Sequence, residues 1–251
     1  MYYDNDFAIV IPMANEEKEF AMFIAVLRKV LDRLESGTVY LIVDNVSKDS
    51  TLDLCRNLSQ SDSRFKTIWS PENRNVVDAY IRGYREALKS NHDIIIEMDA
   101  GLSHDPRAIP LFIRTLNEGN ECAFGSRFIN GGSIWKSTFY RWFLSKSGTI
   151  LSNILLGTRL HDMTSGYQGF HADVVREFAY YPLKSGAHFY QTELRYLLRK
   201  KRFREVPIHY RAPSKSVSSK SIRNSLSTLV YYLFRRIVFR PVVLQDENKI
   251  L

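Results

Sequence analysis

D-I-I-I-E-M-D-A-G-L-S-H-D-P, Asp93 to Pro106, runs an apolar strand into a carboxylate and then into a helix start. Ile94, Ile95 and Ile96 are consecutive β-branched residues, the pattern of a strand covered on both faces in a parallel sheet. Asp99 then falls at the strand's carboxyl end, where open α/β sheets place their ligands. Gly101 loosens the turn, and Asp105 followed by Pro106 reads as an N-cap and first helical residue. A carboxylate at that position can face a metal ion, a sugar hydroxyl or a nucleotide, or can simply cap the turn.

Working outward, Phe7 to Pro12 is another apolar run ended by proline, followed by Asn15, Glu16 and Glu17 and a helical pattern from Phe20 to Leu34. Val39 to Val43 ends in Asp44 before a polar turn and a helix carrying Leu52, Leu54 and Leu58. Phe65 to Trp69 is a short third strand, Val76 to Ser90 a helix, and Ala123 to Ser126 a further strand. This alternation predicts an α/β fold: a mostly parallel twisted sheet with right-handed crossovers and flanking helices. Pro110 predicts a late start or a kink in the helix after Asp105. Beyond Arg127 the pattern becomes a loop at Asn130 to Gly132, a long helix Phe139 to Leu156, a Gly-rich segment Thr164 to Gly169 and a helix from Ala172. A helix over Gln191 to Lys200 and an edge strand over Phe203 to Tyr210 follow. The Ser- and Lys-rich stretch Ala212 to Lys220 predicts a loop that is mobile until a ligand binds. The organisation expected is one domain over residues 1–220 with an amphipathic helix and tail over 221–251.

The chain has 251 residues, enough for one large core. Cys55 and Cys122 sit in apolar patterns and read as buried thiols of a reducing compartment. The start M-Y-Y-D-N-D-F shows no secretory signal, and no apolar run approaches the roughly 20 residues that cross a bilayer. The expected location is therefore cytoplasmic, peripheral on the inner face of a membrane. Charge is uneven: Arg195 to Arg240 holds 13 Lys and Arg against the single acid Glu205, or +12, so the rest carries −4 of the net +8. A basic C-terminal third points to an anionic partner met by one face. Nucleic acid is disfavoured, since neither a recognition helix nor an aromatic platform of the usual kinds is present. The six histidines show no ligand spacing and read as structural.

Asp44 and Asp99 end strands of one inferred sheet, and Asn15 and Glu16 follow a third, so polar clusters converge on one edge. There is no G-x-G-x-x-G after the first strand, no G-x-x-x-x-G-K and no nucleophile elbow, which disfavours a dinucleotide fold, a P-loop NTPase and an α/β-hydrolase. Five motifs occur in one order: I-V-I-P-M-A-N-E-E, the strand ending at Asp44 before N-V-S-K-D-S-T, M-D-A-G-L-S-H-D-P, G-S-R-F at Gly125 to Phe128, and D-M-T-S-G-Y-Q-G-F at Asp162 to Phe170. Together they resemble family 2 of the inverting glycosyltransferases with the GT-A fold, closest to the dolichyl-phosphate mannose synthase branch, over about residues 7 to 240.

The resemblance implies a hexose or amino sugar moved from a GDP- or UDP-linked donor to a polyprenyl phosphate. Pro12, Asn15, Glu16 and Asp44 would line the base and ribose pocket, and Asp99 would contact the sugar or the metal on the diphosphate. Arg127 and Arg141 would grip the acceptor phosphate, with Asp162, Thr164, Ser165 and Gln168 in the same acceptor region. Arg211, Ser219 and Lys220 would belong to a loop closing over the diphosphate. Three departures bear on this. The second Asp of the family's D-x-D is Gly101, the Gln often two positions further is Ser103, and the family's Arg after T-S-G-F is Gln168. Asp99 alone supplies few oxygens for Mg²⁺ or Mn²⁺, so either the metal is held mainly by the nucleotide's phosphates or cationic side chains replace it, and metal dependence is expected to be weak.

A phosphate monoester acceptor is already anionic near pH 7 and needs no general base. A saccharide hydroxyl acceptor would need one, with Glu193 or Asp162 as candidates, and a catalytically silent nucleotide-sugar binder is the remaining alternative. The last helix, Ile222 to Arg236, carries Leu226, Leu229, Val230, Leu233, Phe234 and, just beyond it, Ile237 at helical spacing, flanked by Arg223, Arg235, Arg236 and Arg240. Such a helix can lie in an anionic headgroup layer or dock on the domain body.

Overall fold

A computed structural model describes residues 6–34, 36–135, 137–211, 219–239 and 242–244. Strands β1 (Phe7–Met13), β2 (Thr38–Val43), β3 (Phe65–Trp69) and β4 (Ile94–Glu97) run parallel, joined by helices α1 (Glu17–Leu31), α2 (Thr51–Ser61) and α3 (Val76–Lys89). The chain builds outward from β1 through β2 to β3, then returns to the other side of β1 with β4. The strand order therefore reverses at β1, and a crevice opens at the strand ends there.

The apolar runs are continuous because both sheet faces are covered. Ile9, Ile11, Leu41, Ile94 and Ile96 pack with Phe23, Leu27 and Leu58 in one core, while Val10, Tyr40, Ile42 and Ile95 pack with Tyr80, Tyr84 and residues further along the chain in the other. Each such side chain, fully buried, stabilises the fold by about 1.5–3 kcal/mol, so the Ile94–Ile96 run holds β4 from both sides. Cys55 and Cys122 are buried and free.

After β4, Asp105 accepts a hydrogen bond from Arg107 N, and Pro106–Ala108 form a single 3₁₀ turn before α4 (Ile109–Asn117). Pro110 lies in the first turn of α4, where no intrahelical bond is lost, so the helix starts late without a kink. Then come β5 (Cys122–Ser126), β6 (Ser133–Trp135), α5 (Phe139–Leu156), β7 (Gln168–His171), α6 (Ala172–Phe178), α7 (Tyr190–Leu197), β8 (Phe203–Pro207), β9 (His209–Arg211) and α8 (Ser219–Val238). The main sheet has seven strands in the order β3-β2-β1-β4-β7-β5-β8, with β7 antiparallel to both neighbours.

Strand β7 falls where the sequence pattern predicts only a Gly-rich segment. Its Gly169 lies close under α4: an added Cβ would stand 3.3 Å from side-chain carbons of Leu116 and Phe112, a tight fit that a larger residue would have to push apart. The single edge strand expected over Phe203 to Tyr210 is split. β8 pairs with β5 at the sheet edge, while β9 turns away to pair with β6, and Arg211 N donates to Ser103 O beside the Asp99 turn. The expected apolar stripe of α8 is split too. Leu229 is buried with Thr228 and Tyr232 against the domain, whereas Leu226, Val230, Phe234 and Ile237 face outward.

Candidate active site

The ends of β1, β2 and β4 meet at the crevice and are stitched together by polar side chains. Asn15, at φ 60°, accepts from Lys48 N at 2.9 Å and donates to Val46 O at 3.2 Å, tying the loop after β1 to the loop after β2. Glu16 N donates to Thr51 Oγ1 at 2.8 Å, which leaves its carboxylate directed at the turn after β4. Asp44 is nearly buried and accepts from Val46 N at 2.9 Å.

Asp99 is held from two sides. Its backbone N donates to His104 Nδ1 at 2.9 Å and its Oδ1 accepts from the Tyr80 hydroxyl at 2.7 Å. Because His104 Nδ1 accepts, the ring proton sits on Nε2, which is buried without a partner among the described residues. His104 is stacked on Tyr167 and lies against Tyr210, so this histidine, expected to be merely structural, shapes the crevice wall. Burial opposes the charge of Asp99, but the imidazoles of His104 and His188, the Tyr80 hydroxyl and Arg127 outweigh it and hold the carboxyl below its usual range. Glu16 behaves in the opposite way: burial, followed by the charges of Glu19, Asp99 and Asp49, pushes it up to about 7. Negative charge is thus crowded at this end of the site.

The opposite wall is cationic and rigid. Arg127 N and Nε donate to Asp162 Oδ2 at 3.0 and 2.7 Å, and Nη2 donates to Asp162 Oδ1 at 2.8 Å and to Thr164 Oγ1 at 2.6 Å. Arg141, on the first turn of α5, reaches the Tyr210 hydroxyl at 3.3 Å. Beneath them Arg195 of α7 is completely buried. It donates to Gln168 Oε1 at 3.0 Å, to Ser165 O at 2.9 Å, to Gly125 O at 3.2 Å and to Asp162 O. One guanidinium therefore fixes both the G-S-R turn and the D-M-T-S-G loop. Gln168 passes the chain on to Glu97, whose buried carboxylate also accepts from Tyr84 and Tyr190.

Both walls line one cavity of about 1130 Å³. Of the residues singled out by sequence, Pro12, Asn15, Glu16, Asp99, Arg127, Arg141, Thr164 and Ser165 line it. Asp162 and Gln168 do not; they are buried behind it, holding Arg127 and Arg195. Asp44 sits just outside, at the end of β2. Arg211 lies at the rim, 3.8 Å from Glu19, and Ser219 and Lys220 are exposed at the start of α8. The rest of the loop expected to close over a diphosphate, residues 212–218, falls outside the described residues, as does Arg240.

The cavity continues past Arg141 into a groove between α5 and α8 lined by Leu144, Ile150, Leu151, Ile154, Ile222, Leu226 and Leu229. Sequence reading missed this groove because its two walls are far apart in the chain. The first turns of α5 carry exposed Phe139, Tyr140, Trp142 and Phe143, with Phe139 79% exposed, and Phe234 and Ile237 of α8 are exposed as well. Arg236 joins the two helices by donating to Ile154 O and Leu155 O at the end of α5. Among the described residues no helix is long and apolar enough to cross a membrane.

The carboxylates lining the cavity are Glu16, Glu19 and Asp99, all on the crowded side. Neither residue considered as a base for a hydroxyl acceptor is placed for it. Glu193 is fully buried, accepting from Lys184 N, Ser185 N and the Tyr232 hydroxyl, and so anchors α8 to the body. Asp162 is locked to Arg127.

A sheet whose strand ends bring carboxylates to one crevice, faced by buried arginines, is the architecture of a GT-A glycosyltransferase. A solved structure of glucosyl-3-phosphoglycerate synthase from Mycobacterium tuberculosis, in complex with Mn²⁺, UDP and phosphoglyceric acid, shares this fold with a TM-score of 0.64 at 16% identity, over 91% of this chain and 78% of that one. Residues 8–178 match the model of glycosyl transferase family 2, and the chain belongs to that family. Among curated relatives, the polyprenol monophosphomannose synthase of Mycolicibacterium smegmatis is 26% identical, covering 86% of this chain and 81% of its own. The undecaprenyl-phosphate mannosyltransferase of Micrococcus luteus is 29% identical, covering 80% and 82%.

Proposed function

We propose that this glycosyltransferase moves a hexose or amino sugar, with inversion, from a nucleoside-diphosphate sugar to a polyprenyl phosphate at a membrane surface. The observation that carries it is the continuity of the cavity: a carboxylate-lined end, then Arg127 and Arg141, then an apolar groove opening beside exposed aromatic residues. A polyprenyl phosphate has that sequence of chemistry, an anion followed by a long apolar chain. The names of the two curated relatives support the same class of acceptor and extend it to mannose as donor sugar.

In this reading an acceptor phosphate oxygen attacks the anomeric carbon from the face opposite the leaving group. The carbon–oxygen bond to the nucleoside diphosphate breaks as the new phosphodiester forms. The nucleophile is already an anion, so no proton has to be removed. This fits an acceptor wall that has arginines and no placed carboxylate. Arg127, fixed by Asp162, and Arg141 orient the phosphate, and prepaid positioning of this kind is worth several kcal/mol of barrier. Asp99, steadied by Tyr80 and His104, faces the donor. A divalent ion, present in the M. tuberculosis neighbour, would neutralise charge on the departing diphosphate. The donor set suits one, since the carboxyl groups of Glu16, Glu19 and Asp99 crowd that end of the cavity.

Outward-facing Leu226, Val230, Phe234 and Ile237, with Phe139 and Phe143, would enter the headgroup layer while Lys146, Lys184 and Arg223 meet lipid phosphates. The deciding assay offers the chain GDP-mannose, UDP-glucose or UDP-N-acetylglucosamine, each radiolabelled, with a short polyprenyl phosphate. Label in the organic phase is the expected result. Transfer only to a water-soluble saccharide would overturn the acceptor assignment.

A further inference from the structure

Glu97 of β4 and Gln168 of β7 are direct cross-strand partners in the middle of the sheet, and Phe124 of β5 completes their row. All three are fully buried, and the Arg195 guanidinium lies over Phe124, 5.0 Å from its ring centre. Hydrogen bonds run along this row in one direction. Arg195 Nε donates to Gln168 Oε1 at 3.0 Å, and Gln168 Nε2 donates to Glu97 Oε1 at 2.8 Å. Glu97 Oε2 accepts from the hydroxyls of Tyr190, at 2.8 Å, and Tyr84. A guanidinium can only donate, so the Gln168 amide turns its oxygen to Arg195 and its NH2 to residue 97, which has to accept there. An amide turned over would set its NH2 against Arg195 Nε, donor against donor.

Both ends of the row reach a wall of the cavity. At one end, Tyr84 and Tyr80, a turn apart on α3, hold Glu97 and Asp99. At the other, Arg195 gives Nη1 to Asp162 O and Nη2 to the carbonyl oxygens of Gly125 and Ser165. Gly125 leads into Arg127, the Asp162 carboxylate holds the Arg127 guanidinium, and Ser165 lines the cavity. We infer that Glu97 is a positioning residue for the transfer reaction: by fixing the Gln168 amide it holds Arg195, and through Arg195 it sets Arg127 and Ser165 against the acceptor phosphate. The assignment rests on the transferase reading above. Glu97, Gln168 and Arg195 are buried behind the cavity and do not line it, so the effect is carried by the row and not by contact with substrate.

The test is steady-state transfer by the full chain to a short polyprenyl phosphate, assayed well below the Tm of each variant, with nucleotide binding measured separately by thermal shift. Gln168→Met cuts the row at nearly constant volume. Glu97→Gln places an NH2 against either the Gln168 NH2 or the hydroxyls of Tyr84 and Tyr190, donors in both cases. Each should lower kcat roughly 10- to 100-fold, the effect of a misplaced orienting group, with donor KM and nucleotide affinity unchanged. Tyr190→Phe takes one hydroxyl from the same carboxylate but leaves the row intact, and should lower Tm without that loss of kcat. The swap of Glu97→Gln with Gln168→Glu again gives every donor an acceptor, since the new carboxylate receives both Arg195 and the new amide, and should bring kcat back toward wild type. Wild-type kcat in Gln168→Met or Glu97→Gln overturns the assignment, as does nucleotide affinity that falls in step with kcat. Where a single variant does not fold, the swap decides alone: folded and active supports the assignment, folded and inactive overturns it. A wild type that transfers to no polyprenyl phosphate removes the transferase reading and this assignment with it, whereas an active wild type with unaffected variants removes the assignment only.

Discussion

Replacing Asp162 by Asn tests whether this residue holds Arg127 in place or meets the acceptor itself. The side chain keeps its volume but loses the charge facing Arg127, which is only 8% exposed and takes three hydrogen bonds to Asp162. Breaking a buried ion pair from one side typically costs about 3–5 kcal/mol, because the other charge is left uncompensated. For a domain of this size, about 2–4 °C per kcal/mol, the expected fall in Tm is about 6–20 °C. Burial alone would raise the Asp162 carboxyl, but Arg127 and then Arg195 outweigh it and hold it far below the usual range. A depressed carboxyl contributes stability that is fully present above its unfolded pKa, about 4, and is lost as pH falls toward the folded value. The wild type should therefore lose stability steeply below about pH 4, and Asp162→Asn should show a flatter acid limb. Replacing both partners by apolar residues, Arg127→Met with Asp162→Leu, should recover much of the stability but no transfer. Calorimetry across pH checks this. A Tm within about 2 °C of wild type for Asp162→Asn would refute the pair's structural role.

Asp99→Ala should abolish transfer while lowering stability by only about 1 kcal/mol, the loss of the Tyr80 hydrogen bond; turnover near wild type would remove Asp99 from the site. Glu193→Gln should keep substantial turnover and lose about 1–3 kcal/mol of stability, because its carboxylate anchors Lys184, Ser185 and Tyr232 and does not reach the cavity. A collapse of kcat at unchanged Tm would instead restore it as a general base. Arg223→Glu should weaken sedimentation with anionic vesicles by about 1–2 kcal/mol, roughly 5- to 30-fold, in low salt and at unchanged Tm. Arg236→Glu should lower Tm as well, because Arg236 ties α8 to the end of α5; equal vesicle binding in wild type and Arg223→Glu would count against the membrane reading.

Much of the half of the site built by β1, β2 and β4 is legible in the sequence because it is made of local units. The continuous β-branched runs of β1, β2 and β4, each followed by a polar turn and an amphipathic helix, force a parallel sheet. A parallel sheet in turn places Glu16, Asp44 and Asp99 at one edge. The late start of α4 follows from Pro110, and the bounds of α5 from a Thr138 cap and Gly157 in the left-handed conformation. Those are decisions of backbone geometry and burial within a dozen residues, and periodicity reports them directly.

What the tertiary structure alone decided are contacts between residues far apart in the chain. β7 is an antiparallel strand only because β4 and β5 offer it facing edges, and its Gly169 lies close under Leu116 and Phe112 of α4. Asp162 and Gln168 stand in motifs that look like binding loops, yet burial turns them inward, where Arg195, 27 residues beyond Gln168, needs acceptors for a guanidinium removed from water. The apolar groove exists only where α5 and α8 lie side by side. The place of Glu16 beside Gly101, 85 residues away in the chain, is fixed by the parallel pairing of β1 with β4. A sequence pattern records which residues want burial or a turn; which distant charge they will meet is settled only when the sheet brings their strand ends together.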